Sequence, residues 1–459
     1  MAVSNNSIEK MDMISELPDD ILRKILWAVT LAGDAHAAAR TCVLSRRWRP
    51  LPSSMTRLHV TNFSLDAGDF FSLNGRQIAT AEFTTALRRF LAVPATKRTV
   101  GMLSLRFIFT KHERDHNVRR IGAIVGDAVD DGRVISVELE IVGQILPDGG
   151  IDEFLFLDEA PTMLGYGECF RHHLLRPGSS FREALVKLSL QNVWFHDPAA
   201  VNDLVRECSA LRFLSLTVCG FLSEQEMLDM EHAAGPAVLT IDAPQSRLTY
   251  LQCIQCYIHH VDLVQAPELH TFRCQFCCLR EDDDDAFSPP VSFGYTPSLK
   301  VLLLSRECYD DDDDVDLKLS DVLIQSAPLE VLLLGFGNGK IDDHICETSS
   351  HKNSDENADL EWKPSPGFNH HHLKRLWMFR TFHVEKNLPF ARLVMGLAVN
   401  LQTLTLQVMD LGCQQCKDDQ RESPKPGRSR SEHVDALVKE LKHGIQTSTK
   451  ITILFTGLD

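Results

Sequence analysis

The chain has 459 residues, of which 44% are hydrophobic and 24% are charged, and 47 basic against 63 acidic residues give a formal net charge of -16. This composition excludes global disorder, collagen and a coiled coil, and the charge would repel a nucleic-acid backbone. The most apolar late stretch, residues 388–406, contains Arg392, which argues against a membrane span. The N-terminus lacks the order of a secretory signal, so we expect residence in the cytoplasm or nucleus, with 13 cysteines that are mostly thiols.

Two acidic runs, at residues 281–285 and 310–314, supply much of the negative charge. Calcium loops need oxygen ligands at set spacing, a glycine turn and a closing glutamate, and neither run has that order. We interpret both runs as solvated loops.

The first sixty residues predict a small helical unit. Pro18 can open a helix because its missing N–H is not needed in the first turn, and Asp19 and Asp20 suit the positive end of the helix dipole. The apolar face of this helix has helical spacing and is made by Ile21, Leu22, Ile25 and Leu26. A second helix is expected from Asp34 toward Leu44, and a third, very short one at Ser45, which Pro50 and Pro52 end. Three short helices bury little surface alone, so we expect this unit to bind a partner.

LPDDILRKIL followed by CVLSRRWRPL resembles the F-box, the helical module that docks a Skp-type adaptor in cullin-RING ubiquitin ligases. The resemblance implies a module at residues 12–54 after a disordered N-terminus at residues 1–11. It also implies which residues meet the adaptor or the small core of the module: Leu17, Pro18, Ile21, Leu22, Ile25, Leu26, Val43, Leu44 and Trp48. Residues 27–41 run longer than usual and lack a leucine-proline break, so the register of the second helix and the integrity of docking stay open. The alternative is a generic helical cap at the N-terminus of a larger domain.

The middle of the chain repeats one template, L-x-x-L-x-L with a small or cysteine residue three positions later. Its fourth and sixth positions point inward from a short parallel strand, and its third, fifth and seventh positions point outward. Weaker copies begin near Met55, Leu103 and Val134. The clear copies begin at Leu185, Leu211, Leu248, Leu269, Leu299, Leu329, Leu373 and Leu401.

This array resembles the irregular leucine-rich repeats of plant F-box proteins and covers residues 55–410. A linker at residues 411–431 and a helix-strand cap at residues 432–459 resemble the C-terminal part of grass F-box proteins. The predicted fold class is α/β: a three-helix F-box followed by an irregular leucine-rich-repeat solenoid with a parallel sheet on its concave face. The alternative is an α/β domain whose parallel sheet shares the strand pattern.

Cys253, Cys256, Cys274 and Cys277 have the C-x2-C…C-x2-C spacing of a four-thiolate zinc site. The repeat explains the same spacing without metal, because it puts Cys253 and Cys274 at sixth positions and the other two at ninth positions. We therefore favour buried thiols, with zinc as the alternative, and predict no metal and no cofactor. The three histidines at residues 370–372 are interpreted as a loop, and the roles of Cys413 and Cys416 stay open.

No catalytic motif is recognised, so the chain is predicted to be a non-enzyme. The function implied by the resemblance is substrate recognition in an SCF-type cullin-RING ubiquitin ligase, with a Skp-type adaptor, a cullin-RING core and an unknown protein substrate as partners. The alternative is a repeat scaffold unconnected with ubiquitination. The sequence identifies neither the substrate nor an assisting small molecule. Candidate substrate contacts are outward positions of the late repeats: Val301, Leu303, Val331, Leu333, Arg375, Trp377 and Phe379.

Overall fold

The computed structural model describes residues 14, 16–31, 41, 46–48, 51, 56–61, 83–85, 87–88, 90–92, 99–109, 114–144, 153–175, 180–222, 237–258, 260–277, 291–308, 328–338, 369–381, 384–410, 430–445 and 448–457. The chain divides into two compact units, Met1–Trp194 and Phe195–Asp459. None of the described helices is long and apolar enough to cross a membrane.

The first unit joins helices to a parallel sheet. Its strands lie in the order β1-β2-β3-β4, and each pairs in parallel with the next. The elements are α1 (Asp19–Leu31), β1 (Arg57–Thr61), β2 (Val100–Phe109), α2 (Arg114–Asp130), β3 (Val134–Gly143), α3 (Glu153–His173), α4 (Phe181–Ala184) and β4 (Leu185–Gln191). The strands predicted near Met55, Leu103 and Val134 are thus present as β1, β2 and β3.

The core of this first unit includes a row of aromatic rings. Phe107 and Phe109 are alternate residues of β2 that both point inward, with ring centroids 5.5 Å apart. The ring centroid of Phe109 lies 5.7 Å from that of Tyr166 on α3. Gly122 lets α2 approach α3, because a Cβ at this position would collide with the carbonyl group of His173. The two helices therefore pack through backbone as well as side chains.

The second unit is mostly strand. Its elements are β5 (Trp194–Phe195), which lies at the division, α5 (Ala199–Glu207), β6 (Phe213–Thr217), β7 (Gly220–Phe221), β8 (Val238–Asp242), β9 (Tyr250–Cys256), β10 (His260–Gln265), β11 (Thr271–Cys277), β12 (Val291–Tyr295), β13 (Val301–Cys308), β14 (Val331–Asn338), β15 (Arg375–Thr381), α6 (Val384–Leu397), β16 (Thr403–Asp410), α7 (Arg430–Lys442) and β17 (Lys450–Gly457).

Two parallel sheets contain all the strands of this unit except β5 and β7; the larger is called the main sheet. One has the order β6-β9-β11-β13-β14-β15-β16-β17, and the other has the order β12-β10-β8. The chain alternates between them from β8 to β13, so each coil places one strand in each sheet. An α/β architecture with large parallel sheets is confirmed, and β17 extends the main sheet beyond β16. Of the three predicted N-terminal helices, α1 is present. Most of the second helix lies outside the described residues, and residues 46–48 form a turn.

Neighbouring coils are joined where each strand of the main sheet begins. The carbonyl oxygen of Lys300 accepts hydrogen bonds from the N–H groups of Glu330 and Val331, both at 2.9 Å. The carbonyl oxygen of Glu330 accepts in the same way from Lys374 at 2.9 Å and Arg375 at 3.1 Å. Satisfying two donors with one acceptor fixes the register of each new strand against the previous one.

The eighth template position turns the backbone in three coils. Asn192, Val218 and Gln255 have φ values of 56°, 51° and 48°, in the left-handed region that residues other than glycine seldom adopt. The turn directs the ninth residue back into the core. These ninth residues are all buried: Val193, Cys219 and Cys256.

Candidate functional site

Helix α1 packs on a small core of its own. Leu22 and Leu26 are 0% and 1% exposed, and they meet Trp48 and Leu51. The helix begins as the sequence predicts, because the carbonyl oxygen of Pro18 accepts hydrogen bonds from the N–H groups of Ile21 and Leu22, both at 3.0 Å. The sequence analysis did not predict that Leu51 is a core residue. Its position between Pro50 and Pro52 was a usable signal, because an apolar residue in a proline-rich turn can hold that turn against a core.

Arg47 ties the turn before Trp48 to the start of α1. Its Nη2 atom lies 2.9 Å from Asp19 Oδ1 and 2.5 Å from the carbonyl oxygen of Leu17, and it donates a hydrogen bond to each. Because Arg47 and Asp19 are partly exposed, water screens this pair and its contribution to stability is small. The contacts nevertheless orient Leu17 and Pro18.

The apolar side chains of α1 fall into two sets. Leu22 and Leu26 face the small core, whereas Pro18 and Ile25 are exposed and Ile21 is half-buried. Pro18, Ile21 and Ile25 have helical spacing and therefore form one stripe beside the buried face. Among the other predicted adaptor contacts, Leu17 is half-buried and Trp48 lies in the core, while Val43 and Leu44 lie outside the described residues.

Trp27 links α1 to the first strand. The guanidinium carbon of Arg57 lies 5.6 Å from the centre of the Trp27 ring, and the His59 ring meets Trp27 edge-on at 6.5 Å. Burial lowers the pKa of His59, and its Nδ1 atom is 3.1 Å from Ser104 Oγ on β2. These contacts attach the helix to the sheet of the first unit.

The predicted substrate residues lie side by side on the outward side of the main sheet, which we call the open face. Register places Val301 beside Val331 and Val331 beside Arg375, and it places Leu303 beside Leu333 and Leu333 beside Trp377. The alternate residues Leu302, Leu332 and Leu376 are at most 1% exposed, whereas Trp377 is 41% exposed. The seven predicted contacts thus share one surface, with Phe379 at its carboxyl-terminal side.

A charged row borders this surface where the strands begin. Lys374 Nζ lies 2.8 Å from Glu330 Oε2, and Lys300 Nζ lies 3.7 Å from Glu330 Oε1. The hydrogen bond from Lys374 lowers the pKa of Glu330, so this carboxylate stays ionised at neutral pH. The sequence analysis did not select these residues, although position two of consecutive repeats carries them.

The cysteines occupy buried repeat positions. Cys253 and Cys274 lie opposite each other on β9 and β11, and both are buried. The register then slips by one residue at Gln255, so Cys256 lies opposite Phe276. Cys256 and Cys277 therefore hold the ninth positions of their own repeats without lying opposite each other in the sheet. Burial raises the pKa of the Cys256 thiol well above its usual range.

No metal-binding group is found in the part of the chain that the structure describes: nowhere there do three or more His, Cys, Asp or Glu side chains gather suitably. The side chain of Cys277 and residues 413 and 416 lie outside it. His370 has a structural contact instead. Its Nδ1 atom accepts a hydrogen bond from the N–H of Leu373 at 3.0 Å, which holds the turn before β15.

Comparisons with known proteins bear on the family resemblance of the chain. No protein-family model matches the chain. Over 215 residues the chain is 31% identical to a curated F-box protein of Arabidopsis thaliana. This chain is similar to a plant F-box protein. The match covers 45% of this chain and 45% of the relative, so the chain spans less than half the length of the curated protein that it matches.

Proposed function

We propose that this chain is a plant F-box protein of the grass-type leucine-rich-repeat family and the substrate-recognition subunit of an SCF-type cullin-RING ubiquitin ligase. The observation that carries the proposal is its similarity to an F-box protein. The N-terminal module docks a Skp-type adaptor, and the repeat array holds a target protein. The complex works in the cytoplasm or the nucleus.

The division of apolar residues on α1 supports adaptor docking. Leu22, Leu26 and Trp48 bury one face and keep the helix in place. Pro18, Ile21 and Ile25 leave a second apolar stripe available to a partner. Such a stripe beside a packed face suits a helix-in-groove contact.

The open face supports target capture. Leu303, Leu333 and Trp377 form a continuous row, and an exposed tryptophan such as Trp377 belongs to the residue types that supply much of the energy in protein interfaces. The chain needs no nucleophile in this role. It raises the local concentration of a target near a partner that carries ubiquitin, so its contribution to catalysis is proximity.

The decisive experiment is co-purification of the full chain with a plant Skp-type adaptor. The test variant is Ile21→Gln with Ile25→Gln, and the control is Arg23→Gln, an exposed position on the side of α1 away from the stripe. We expect the parent and the control to bind the adaptor and the test variant to lose it. Retained helicity, measured by circular dichroism, ensures that any loss reflects docking.

A folded parent chain that binds no adaptor would contradict the proposal. The chain would then be better described as a repeat scaffold unconnected with ubiquitination. Equal binding by the test variant and the control would leave the ligase role standing but would move docking away from the α1 stripe.

A further inference from the structure

The open face of the main sheet is basic, although the chain as a whole carries a net charge of -16. Among the described side chains of strands β6 to β17 in this sheet, no acidic residue lies at the outward positions three, five and seven, and Glu330 is the one acidic residue at the bordering position two. The basic residues at these positions are Arg212, Arg273, Lys300, Lys374, Arg375 and Lys450. This local reversal of charge favours a negatively charged partner.

The basic side chains surround the apolar row. Register places Arg273 beside Leu303 at one end of the row, and Trp377 ends it on β15. Arg375 lies two residues before Trp377 on the same side of the strand, and Lys450 lies two strands further along the sheet. A ligand on Leu303, Leu333 and Trp377 would therefore have positive charge at both ends.

Arg273 has unused hydrogen-bonding capacity. In the part of the chain that the structure describes, its Nε atom is buried and has no hydrogen-bond partner. The residues beside Arg273 in the same row are already paired, because Tyr250 Oη donates to Gln252 Oε1 at 2.8 Å and Gln252 Nε2 donates to Ser215 Oγ at 3.0 Å. Because the residue as a whole is only half-buried, its guanidinium group can still meet a carboxylate on the open face in a charge-assisted hydrogen bond.

A depression at the start of the strands adds a second anionic contact. It has a volume of about 440 Å³ and is lined by the charged row of Lys300, Glu330 and Lys374 and by Arg375 in the next row. Two lysines, Lys300 and Lys374, share the single carboxylate of Glu330, so Glu330 neutralises only part of the positive charge of this row. An incoming carboxylate can therefore approach Lys374 and Arg375.

We propose that the open face binds an extended acidic segment of a target protein. Its carboxylates meet Arg273, Lys374 and Arg375, and its apolar side chains lie on the row of Leu303, Leu333 and Trp377. With about 4.8 Å between strands, the six strands from β11 to β17 span roughly 24 Å, which about seven extended residues cover. This inference names the substrate class and rests on the proposed function.

A peptide fits this face better than a nucleic acid does. Leu303 and Leu333 are aliphatic, whereas single-stranded nucleic acids stack on aromatic side chains. The negative charge of the rest of the chain also repels a long polyanion, whereas a short segment ends where the basic face ends.

The test measures fluorescence anisotropy of labelled peptide pools with the full chain. One pool of about ten residues alternates Asp or Glu with Leu or Phe, and the matched pool has Asn or Gln in place of the acids, so both cover the span of the face. We expect the acidic pool to bind at least about tenfold more tightly, and this preference to shrink as salt rises.

Four variants relate peptide binding to named residues. Arg273→Gln with Arg375→Gln should abolish the preference for the acidic pool. Glu330→Gln should increase this preference, because it removes the competing carboxylate. The control is Arg206→Gln with Lys439→Gln, at exposed positions on α5 and α7. It removes the same amount of positive charge away from the open face and should leave the preference for the acidic pool unchanged. Trp377→Ala should weaken binding of both pools.

Equal binding of the two pools, with both weakened by Trp377→Ala, would overturn the acidic substrate class but not the proposed function. Binding of neither pool by a chain that holds its adaptor would also overturn it. A third outcome would also overturn the acidic-peptide proposal. A single-stranded oligonucleotide of equal charge would bind as tightly as the acidic pool, and Arg273→Gln would abolish this binding, which would identify a general polyanion site. Failure of adaptor binding is measured separately and would count against the proposed function.

Discussion

The ring of Phe379 on β15 occupies the space above Gly335 on β14. A Cβ on Gly335 would lie 2.6 Å from Phe379 Cε2 and Cζ, and 2.6 Å from the Cβ of Ser305 on β13. Real Cβ atoms do not approach other carbons so closely, so the absence of a side chain at residue 335 is what leaves room for the phenyl ring. One glycine thereby shapes three neighbouring strands of the open face.

Gly335→Ala should therefore destabilise the second unit by about 1 to 3 kcal/mol, because the ring must move out of its packed position. Gly396→Ala is the matched control. A Cβ on Gly396 meets nothing within 4 Å, and alanine is the better helix former, so this change in α6 should stabilise by up to about 1 kcal/mol. Thermal unfolding of both variants checks the opposite signs; a harmless Gly335→Ala would show that the ring does not depend on the glycine.

Leu22→Ala should loosen α1, because Leu22 is fully buried against Leu26, Trp48 and Leu51. We expect the free energy of opening of this helix to fall by about 2 to 5 kcal/mol, as for other buried leucines. Ile25→Ala, at a position that is 36% exposed, should cost less than about 1 kcal/mol. Hydrogen exchange of the α1 amides measures both, and similar values would contradict the assignment of the two faces.

Acidification should destabilise the turn before β15. Burial, followed by the charges of His372 and His371, lowers the pKa of His370 below its ordinary value of 6.5. Above pH 6.5 the imidazole is neutral in both states; as the pH falls below that value, the unfolded chain takes up the proton first and stability declines until the folded pKa is passed. Protonation would also remove the acceptor for the Leu373 N–H.

His370→Asn should flatten this pH dependence, because the amide oxygen can replace Nδ1 as acceptor but does not titrate. The measurement is the midpoint of thermal unfolding between about pH 5 and 8, the range in which histidine changes charge. An unchanged pH profile in the variant would assign the dependence to other groups.

Cys253, Cys256 and Cys274 should resist alkylation in the folded chain, because all three thiols are buried and burial raises the pKa of Cys256. Mass spectrometry after iodoacetamide treatment, with and without denaturant, locates the protected thiols. A dialysed chain should also hold less than stoichiometric zinc. Stoichiometric zinc in the parent chain that is absent from the Cys253→Ser variant would instead support the alternative of a four-thiolate zinc site.

Much of the main sheet could be predicted from the sequence, because inward leucines at the fourth and sixth positions recur wherever a strand pairs with its neighbour. The same pattern predicted that Leu333 and Trp377 lie on one surface. The backbone turn at Gln255 could not be predicted, since no glycine marks it, and neither could the register slip that places Cys256 opposite Phe276. The strands β8, β10 and β12 were also missed, because short alternating segments such as VLTID resemble irregular returns.

The site was less predictable than the sheet. Side chains at the second position are chemically varied, so the contacts among Lys300, Glu330 and Lys374 depend on a register that only the structure gives. In α1 the spacing predicted an apolar face. It could not separate core contacts from exposed ones, because Leu51 and Trp48 come from a later turn.

The shared carbonyl acceptors where the strands begin have an evolutionary consequence. Val331 follows Val301 by 30 residues and Arg375 follows Val331 by 44, yet all three lie in one row. Since alignment is set at the entrance to each strand, insertions and deletions beyond its exit leave neighbouring rows undisturbed. Those exits are where the protein can gain or lose segments during evolution, and where a reporter peptide could be inserted without disrupting recognition.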